Sequence, residues 1–413
     1  MVTTSLPTAR ATVRSVPVDD PGDLIARLPG SAPLAWLRRG DGLVGWGEAL
    51  RLDVGTGADR FGRAQRWWAQ TCAQLQVIDE VGLPGSGPIA FGSFTFDPDV
   101  AGSVLIVPQV LLGRRAGHTW LTAFGGDAPT DPGPVDLPLA PQRLRYSDGS
   151  LSDFQWQAAV RRAVADIRDG RLEKVVLARD LLATSDIDVD ARFLLQRLSG
   201  RYPECWSFSV DGLVGATPEL LVRREAARVE SGVLAGSVRR GRDAAEDAEL
   251  GGWLLSSAKD LQEHSIAVRS VADVLARHCD CLEVPAQPRL LTLANISHLA
   301  TDISGRLVDE ATGLALAGDL HPSAAVCGTP TDVAAHLIRS LEGMERGRYT
   351  GPVGWTDAGG DGEWGIALRC AELAGSSVRL FAGCGIVADS DPDAELAEAQ
   401  VKLAAMRDAL EGL

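Results

Sequence analysis

Of the 40 basic residues in this 413-residue sequence only three are lysine, Lys174, Lys259 and Lys402, and the rest are arginine. A guanidinium stays protonated in a protein, whereas a lysine amine can lose its proton when buried. A chain that draws its surface charge from arginine therefore keeps lysine where a compact or titratable ammonium has a use, or merely by chance on a solvated face. Four glutamates stand near these lysines in pattern or spacing. Glu219 follows Pro218 in a glycine-flanked turn, and Glu263 lies beside an apolar stripe of Leu261, Val268, Val271 and Leu275. Glu395 and Glu398, with Lys402, each precede one residue of the last such stripe, Leu396, Ala399, Leu403, Met406 and Leu410. Amines and carboxyls of this kind are the groups of proton transfer and of hard-cation binding. Spacing alone also fits solvated helix flanks, with a Glu398–Lys402 pair at i, i+4 worth about 0.3–0.5 kcal/mol.

The elements that must position these groups follow from periodicity. Over 174–179 a period of two places Lys174, Val176 and Ala178 on one strand face. Ser152 caps an expected helix carrying Trp156, Val160, Ala163, Val164 and Ile167, with Gly170 as its stop. Further strands are expected at 206–210, 213–216, 220–224, 290–296, 365–373 and 377–385, and helices at 244–278, 330–345 and 394–411. The N-terminal third reads as strands at 43–48, 89–96 and 104–112 with one helix over 58–76. A proline-rich stretch, 126–142, connects an N-terminal portion, 1–130, to the region 150–413.

Composition bounds the rest. With 45% hydrophobic and 23% charged residues the chain can bury a sizeable core. Its net charge of −15 repels a phosphate backbone, which argues against nucleic acid as a partner. The apolar stretch 103–112 is interrupted by Pro108 and Gln109 and falls short of the roughly 20 residues of a membrane span. The first residues lack the apolar core of a secretory signal, so a cytoplasmic location is expected. Seven scattered cysteines without a CxxC pair suit reduced thiols.

Several phrases occur together and in order: Leu172-Glu-Lys-Val-Val-Leu-Ala-Arg179, Gly215-Ala-Thr-Pro-Glu-Leu220, Leu234-Ala-Gly-Ser237, Ser257-Ala-Lys-Asp-Leu-Gln-Glu-His264, Leu320-His-Pro-Ser-Ala-Ala-Val-Cys-Gly328, Tyr349-Thr-Gly-Pro-Val-Gly-Trp355, Ile366-Ala-Leu-Arg369, and Ala382-Gly-Cys-Gly-Ile-Val387 followed by Glu395-Leu-Ala-Glu398. From about residue 150 to the end the chain thereby resembles the chorismate-utilising enzymes. The resemblance implies an α+β fold like that of anthranilate synthase component I, two facing antiparallel β-sheets with helices outside in α/β/β/α layers. Residues 1–130 would complete one compact unit with the chorismate-binding region 150–413.

Within that family the resemblance separates the activities at three positions. A lysine at Lys174 accompanies attack by water, as in isochorismate and salicylate synthases, where ammonia-using members usually carry glutamine. Ala235 replaces the nucleophilic lysine of aminodeoxychorismate synthases. Ala325 matches isochorismate synthases, whereas salicylate and anthranilate synthases tend to carry threonine. The implied activity is a Mg²⁺-dependent isochorismate synthase that needs no obligate protein partner, its product feeding menaquinone or siderophore synthesis. A salicylate synthase and a partner-dependent ammonia-using subunit are the alternatives. Departures from the pattern are Ser237 in place of threonine, and Cys327 and Cys384 at small-residue positions.

The resemblance also assigns roles. Lys174 is the base, its pKa expected to fall from about 10.4 toward about 7–8 through burial beside Val176 and Ala178. Glu219 is the acid, held protonated by a raised pKa. Glu263 and Glu398 bind Mg²⁺, with Glu395 acting through a coordinated water. Tyr349 and Arg369 take the enolpyruvyl carboxylate, His298 contacts the ring on its leaving side, and Gly236, Ser237, Ala325, Lys402 and the amides of Gly383 and Gly385 line the substrate site. His264 and His321 are expected to be hydrogen-bonded structural histidines.

Overall fold

The computed structural model describes residues 11–30, 32–125, 133–136 and 138–413. Two sheets account for most of them. The larger, of 13 strands, runs from an edge at Arg145–Asp148 through Lys174–Thr184, Ser377–Ile386, Cys370–Ala374, Leu213–Thr217 and Trp206–Val210. It continues through Leu34–Arg38, Asp41–Trp46, Val110–Arg115, His118–Phe124 and Thr12–Pro17 to Gln76–Asp79, and the short Gly328–Thr329 pairs beside Lys174. The smaller sheet has nine strands in the order Arg289–Thr292, Ile296–Arg306, Arg228–Arg239, Leu220–Glu225, Gly362–Ile366, Pro352–Asp357, Ile89–Ser93, Val104–Val107 and Leu50–Asp53. Pairing is antiparallel apart from Thr12–Pro17 against Gln76–Asp79.

Alternation along the strands sorts side chains into three cores. In Leu34–Arg38, Leu34 and Trp36 face the smaller sheet and join Phe91, Phe208, Val353 and Trp355 between the layers. Ala35 and Leu37 face outward and join Trp156, Leu194, Leu403 and Met406 of the helices Asp153–Arg168, Ala191–Arg201 and Pro392–Glu411. The outer face of the smaller sheet is covered by Arg60–Ala73, Ala258–Leu275 and Gly313–Leu320, through Ala64, Val271 and Leu316 among others. The layers are therefore helix, sheet, sheet, helix, as the resemblance implied. The N-terminal helix, the helix capped by Ser152 and Gln155, and the strands at 206–210 and 213–217 form where periodicity put them.

Several expected elements are divided. The strand expected at 104–112 breaks at Pro108-Gln109 into Val104–Val107 and Val110–Arg115, which belong to different sheets, because Pro108 has no N–H to continue a ladder. The helix expected over 244–278 is two helices, Ala244–Ser256 and Ala258–Leu275, separated by an extended Ser257 whose Oγ accepts from the Asp260 N–H. The strand expected at 290–296 closes at a turn, with Leu293 N–H donating to the Ile296 carbonyl, and Ile296 opens the strand that follows. Periodicity also passed over the 12-residue strand Arg228–Arg239 and the helices Ala191–Arg201 and Gly313–Leu320. Of the connecting stretch 126–142, residues 126–132 and 137 lie outside the described residues. Among the described residues no helix is long and apolar enough to cross a membrane.

Candidate functional site

The chain changes sheet twice at one place. Thr217 ends a strand of the larger sheet and Leu220 begins one of the smaller, so Pro218 and Glu219 span the gap. Gly362–Ile366 lies in the smaller sheet and Cys370–Ala374 in the larger, so 367–369 span it again; this is the strand expected as a single run over 365–373. The two crossings lie side by side, with Ile366 N–H donating to the Glu219 carbonyl at 3.2 Å and Ala216 N–H to the Arg369 carbonyl at 3.1 Å. Arg369 adopts φ +47°, a left-handed conformation that is costly for a side-chain-bearing residue and common at functional sites. Both crossings deliver an ionisable side chain, Glu219 or Arg369, to the cleft between the sheets.

Glu219 is 4% exposed, and burial pushes its carboxyl up to about 8, against the Leu234 N–H at 3.4 Å and the positive charge of Lys174, which favour ionisation. The carboxyl therefore carries its proton at neutral pH. His298 is equally enclosed. Burial, and then the Arg369 guanidinium, hold it well below the usual imidazole range, so it is neutral. Arg369 Nη2 lies 3.1 Å from His298 Nε2, and since a guanidinium only donates, Nε2 is the acceptor and the ring proton is on Nδ1.

Gly236 forms a bulge in strand Arg228–Arg239, where the register against Ile296–Arg306 shifts between Ala235 and Ser237. Its φ of +77° suits glycine, and a Cβ there would press on Asp260 Cβ at 3.1 Å. The bulge re-aims Ser237, whose Oγ donates to Glu398 Oε1 at 2.6 Å.

The remaining charged groups come from two helices that flank the cleft. Ala258–Leu275 packs on the smaller sheet and Pro392–Glu411 on the larger. Each of the three lysines meets one of the three glutamates assigned to metal: Lys174 Nζ lies 3.1 Å from Glu263 Oε1, Lys259 Nζ 2.8 Å from Glu395 Oε1, and Lys402 Nζ 2.5 Å from Glu398 Oε1. Two of these pairs join one sheet layer to the other. The solvated-flank account of Glu398 and Lys402 does not hold, since both line the cleft and Lys402 also donates to the Gly383 carbonyl at 2.9 Å. Burial opposes the charge on Glu398, yet Lys402 and Ser237 hold it below the usual carboxylate range. Burial and then the charge of Glu398 push Glu395 up, with Lys259 opposing. Gly385 makes the Lys174–Glu263 contact sterically feasible: a Cβ on it would lie 1.9 Å from Glu263 Oε1 and 3.0 Å from Lys174 Cε.

These elements enclose a cleft of about 660 Å³, open solvent at its mouth included. Glu219, Glu263 and Glu398 line it, as do Gly236, Ser237, His298 and Ala325. Tyr349, Arg369, Gly383, Gly385 and Lys402 complete the sequence-derived set on its walls. Tyr349 is stacked on Phe381 at 4.9 Å between ring centroids. The Gly383 carbonyl accepts from Lys402 Nζ at 2.9 Å. Lys174 lies fully buried behind Glu263, and Glu395 stands behind Glu398 with Cys384, the candidate ligand atoms of these last three lying within 4.8 Å of one another. Burial keeps the Cys384 thiol protonated, which leaves the carboxylates as the ligands suited to a hard cation. Lys259 was singled out only by residue type; its pairing with Glu395 comes from a helix–helix contact that spacing does not report. His264 and His321 are structural: His264 bonds Ala235 and Thr301, His321 bonds the Phe96 carbonyl, and burial depresses them to about 4 and about 3.

Comparison with known proteins agrees with this geometry. A family model described as chorismate binding enzyme matches residues 35–125 and 138–411. The chain is 38% identical over 345 residues to isochorismate synthase DhbC of Bacillus subtilis, covering 78% of this chain and 80% of that one. It is 36% identical over 405 residues to the salicylate biosynthesis isochorismate synthase of Pseudomonas aeruginosa, covering 89% and 82%. Among solved structures it superposes on MenF, the menaquinone-specific isochorismate synthase of Escherichia coli, with a TM-score of 0.82 at 26% identity over 98% and 95% of the two chains. Anthranilate synthase component I of Streptococcus pneumoniae, TM-score 0.67 at 20% identity over 98% and 94%, shares the fold. With the family model spanning both sheets and the helices that flank the cleft, this chain belongs to the chorismate-binding enzymes.

Proposed function

We propose that this chain is an isochorismate synthase, an isomerase that adds a water-derived hydroxyl at C2 of chorismate, expels the C4 hydroxyl and shifts a ring double bond. The observation that carries the reading is a carboxyl, Glu219, kept protonated up to about pH 8 on the wall of a cleft in which another lining residue, Glu263, contacts a buried amine, Lys174. Lys174, in its uncharged form, accepts a proton from the attacking water; Glu219 gives its proton to the departing hydroxyl. Proton transfer by positioned groups of this kind contributes about 10²–10⁴ in rate. Arg369 offers a planar fork to a substrate carboxylate, and its contact with neutral His298 orients both side chains toward the ring. Ala325 on the cleft wall supports a reaction that stops at isochorismate.

The donor set fits a divalent cation. Glu395 and Glu398 are forced together in a buried setting in which each raises the cost of ionising the other, and Glu263 faces the same cleft. Mg²⁺ prefers one or two carboxylates together with substrate oxygens and water, so Glu263 and Glu398 would hold it, with Glu395 behind. When bound it would orient the ring carboxylate and offset charge that builds during attack. Until then the ammonium groups of Lys259 and Lys402 supply compensating charge beside Glu395 and Glu398.

The test is product analysis. Purified protein supplied with chorismate and Mg²⁺, without glutamine or ammonium, should yield isochorismate, and isochorismate should return chorismate because exchanging one C–O bond for another leaves the equilibrium within about a factor of ten of unity. Salicylate and pyruvate formed directly from chorismate would overturn the assignment drawn from Ala325, and inactivity without an ammonia source would restore the subunit alternative.

A further inference from the structure

Strand Lys174–Thr184 is incompletely paired on one side. It meets Ser377–Ile386 from Val175 onward, but on its other edge it meets Gly328–Thr329 only at Lys174 and Val175, and Arg145–Asp148 only from Leu181. Val176 N–H reaches the Cys327 carbonyl at 2.8 Å. The next groups on that edge, the Val176 carbonyl and the Ala178 N–H and carbonyl, are buried with no strand beside them, where an unpaired group costs about 1–3 kcal/mol. Side chains take all three. Arg346 Nη2 donates to the Val176 carbonyl at 2.8 Å, Ala178 N–H donates to Glu342 Oε1 at 2.7 Å, and Trp156 Nε1 donates to the Ala178 carbonyl at 3.2 Å.

Glu342 and Arg346 are an ion pair, 1% and 4% exposed, and neither lines the cleft. All five N–H donors of Arg346 are engaged. Two go to Glu342, one to the Val176 carbonyl, one to the Val326 carbonyl at 2.8 Å and one to Thr350 Oγ1 at 3.2 Å. Val176 is two residues from Lys174, Val326 follows Ala325, and Thr350, at φ +62°, follows Tyr349. One guanidinium thus ties together three separate walls of the cleft. A well-packed apolar pair of similar volume can match a buried ion pair in stability, but it would leave the backbone groups of Val176, Ala178 and Val326 without these partners.

We propose that Glu342 and Arg346 are positioning residues for the acid–base site, a side-chain substitute for the missing strand that fixes the backbone of Lys174 against Ala325–Val326 and Tyr349–Thr350. The inference rests on the isochorismate synthase reading above. The test compares wild type with the volume-matched double variant Glu342→Leu/Arg346→Met and with Glu342→Gln, which keeps an acceptor for the Ala178 N–H but removes the charge facing Arg346. Four readouts apply: folding by circular dichroism, kcat and KM for chorismate, Mg²⁺ binding by calorimetry, and amide exchange of the peptide spanning 174–180.

In folded variants kcat should drop about 10- to 100-fold, the scale set by ångström-level misplacement, with KM and Mg²⁺ affinity nearly unchanged and exchange of 174–180 accelerated. A folded variant with accelerated exchange and kcat within about twofold of wild type overturns the proposal, since the backbone would then have loosened without consequence. If the double variant fails to fold, the same criteria apply to Glu342→Gln. Should wild type itself fail to convert chorismate, the functional reading falls instead, and unaltered exchange in the variants would remove the strand-substitute role as well.

Discussion

Glu219, Arg369 and His298 reach the cleft from the sheets, each as a single side chain at a crossing or beside a bulge, whereas Glu263 and Glu398 reach it from helices, with Glu395 behind, and each of these three is matched by a lysine. The electrostatics differ accordingly. On the sheet side burial is the leading influence and drives groups to their neutral forms, a protonated carboxyl at Glu219 and an uncharged imidazole at His298. On the helix side ion pairing offsets burial, so that Lys259 and Lys402 stay charged beside Glu395 and Glu398. A neutral acid suits proton donation, and anions with exchangeable partners suit capture of a cation. The contrast is one of backbone geometry: a sheet crossing admits one side chain into a dry gap, while two helices brought together present several charges at once.

The largest test of this contrast removes the proton-transfer groups. Lys174→Ala and Glu219→Gln should each reduce turnover by about 10²–10⁴-fold, leaving Mg²⁺ and substrate binding in place, as steady-state kinetics and calorimetry would show. A loss confined to KM would move both residues from chemistry to binding. A smaller effect is expected from the helix side, where Glu398→Gln should weaken Mg²⁺ binding by at least about tenfold before it affects kcat at saturating metal, the lower end of what outer-shell partners cost elsewhere. Unchanged metal affinity would dissolve the distinction between the two sides.

A further effect is on stability. Glu219 titrates near 4.5 in the unfolded chain and at about 8 in the folded one, so from about pH 5 to about pH 8 the folded state holds a proton that the unfolded state has released. Its contribution to stability is therefore lost as pH rises through that window, by up to about 1.4 kcal/mol per pH unit. Denaturant titrations across this range should show Glu219→Gln, uncharged at every pH, gaining steadily on wild type. Parallel curves would mean that solvent reaches Glu219 more freely than its burial indicates.

Much of this was legible in the sequence, for reasons specific to each part. Period two placed Lys174, Val176 and Ala178 on one strand face, and the scarcity of lysine pointed to three positions that the fold gathers at one site. The crossings were not legible: 365–373 continues the alternation of a strand, and only the backbone turn at Arg369 sends its two ends into different sheets. Helical spacing was ambiguous in a different way. Glu398–Lys402 and Glu342–Arg346 share the i, i+4 interval of any solvated flank, and both prove to be enclosed by layers that local pattern does not report. The Lys259–Glu395 contact, 136 residues apart, likewise depends on how two helices meet.

The arrangement of lysines has a practical corollary for labelling. Every lysine of this chain either lines the cleft or pairs with a glutamate at or behind its wall, and accessibility grades them, from Lys259 at 32% through Lys402 at 14% to Lys174 at zero. Mass-spectrometric footprinting with such a reagent would therefore report on cation and substrate occupancy without any engineered tag, because no surface lysines elsewhere would dilute the signal.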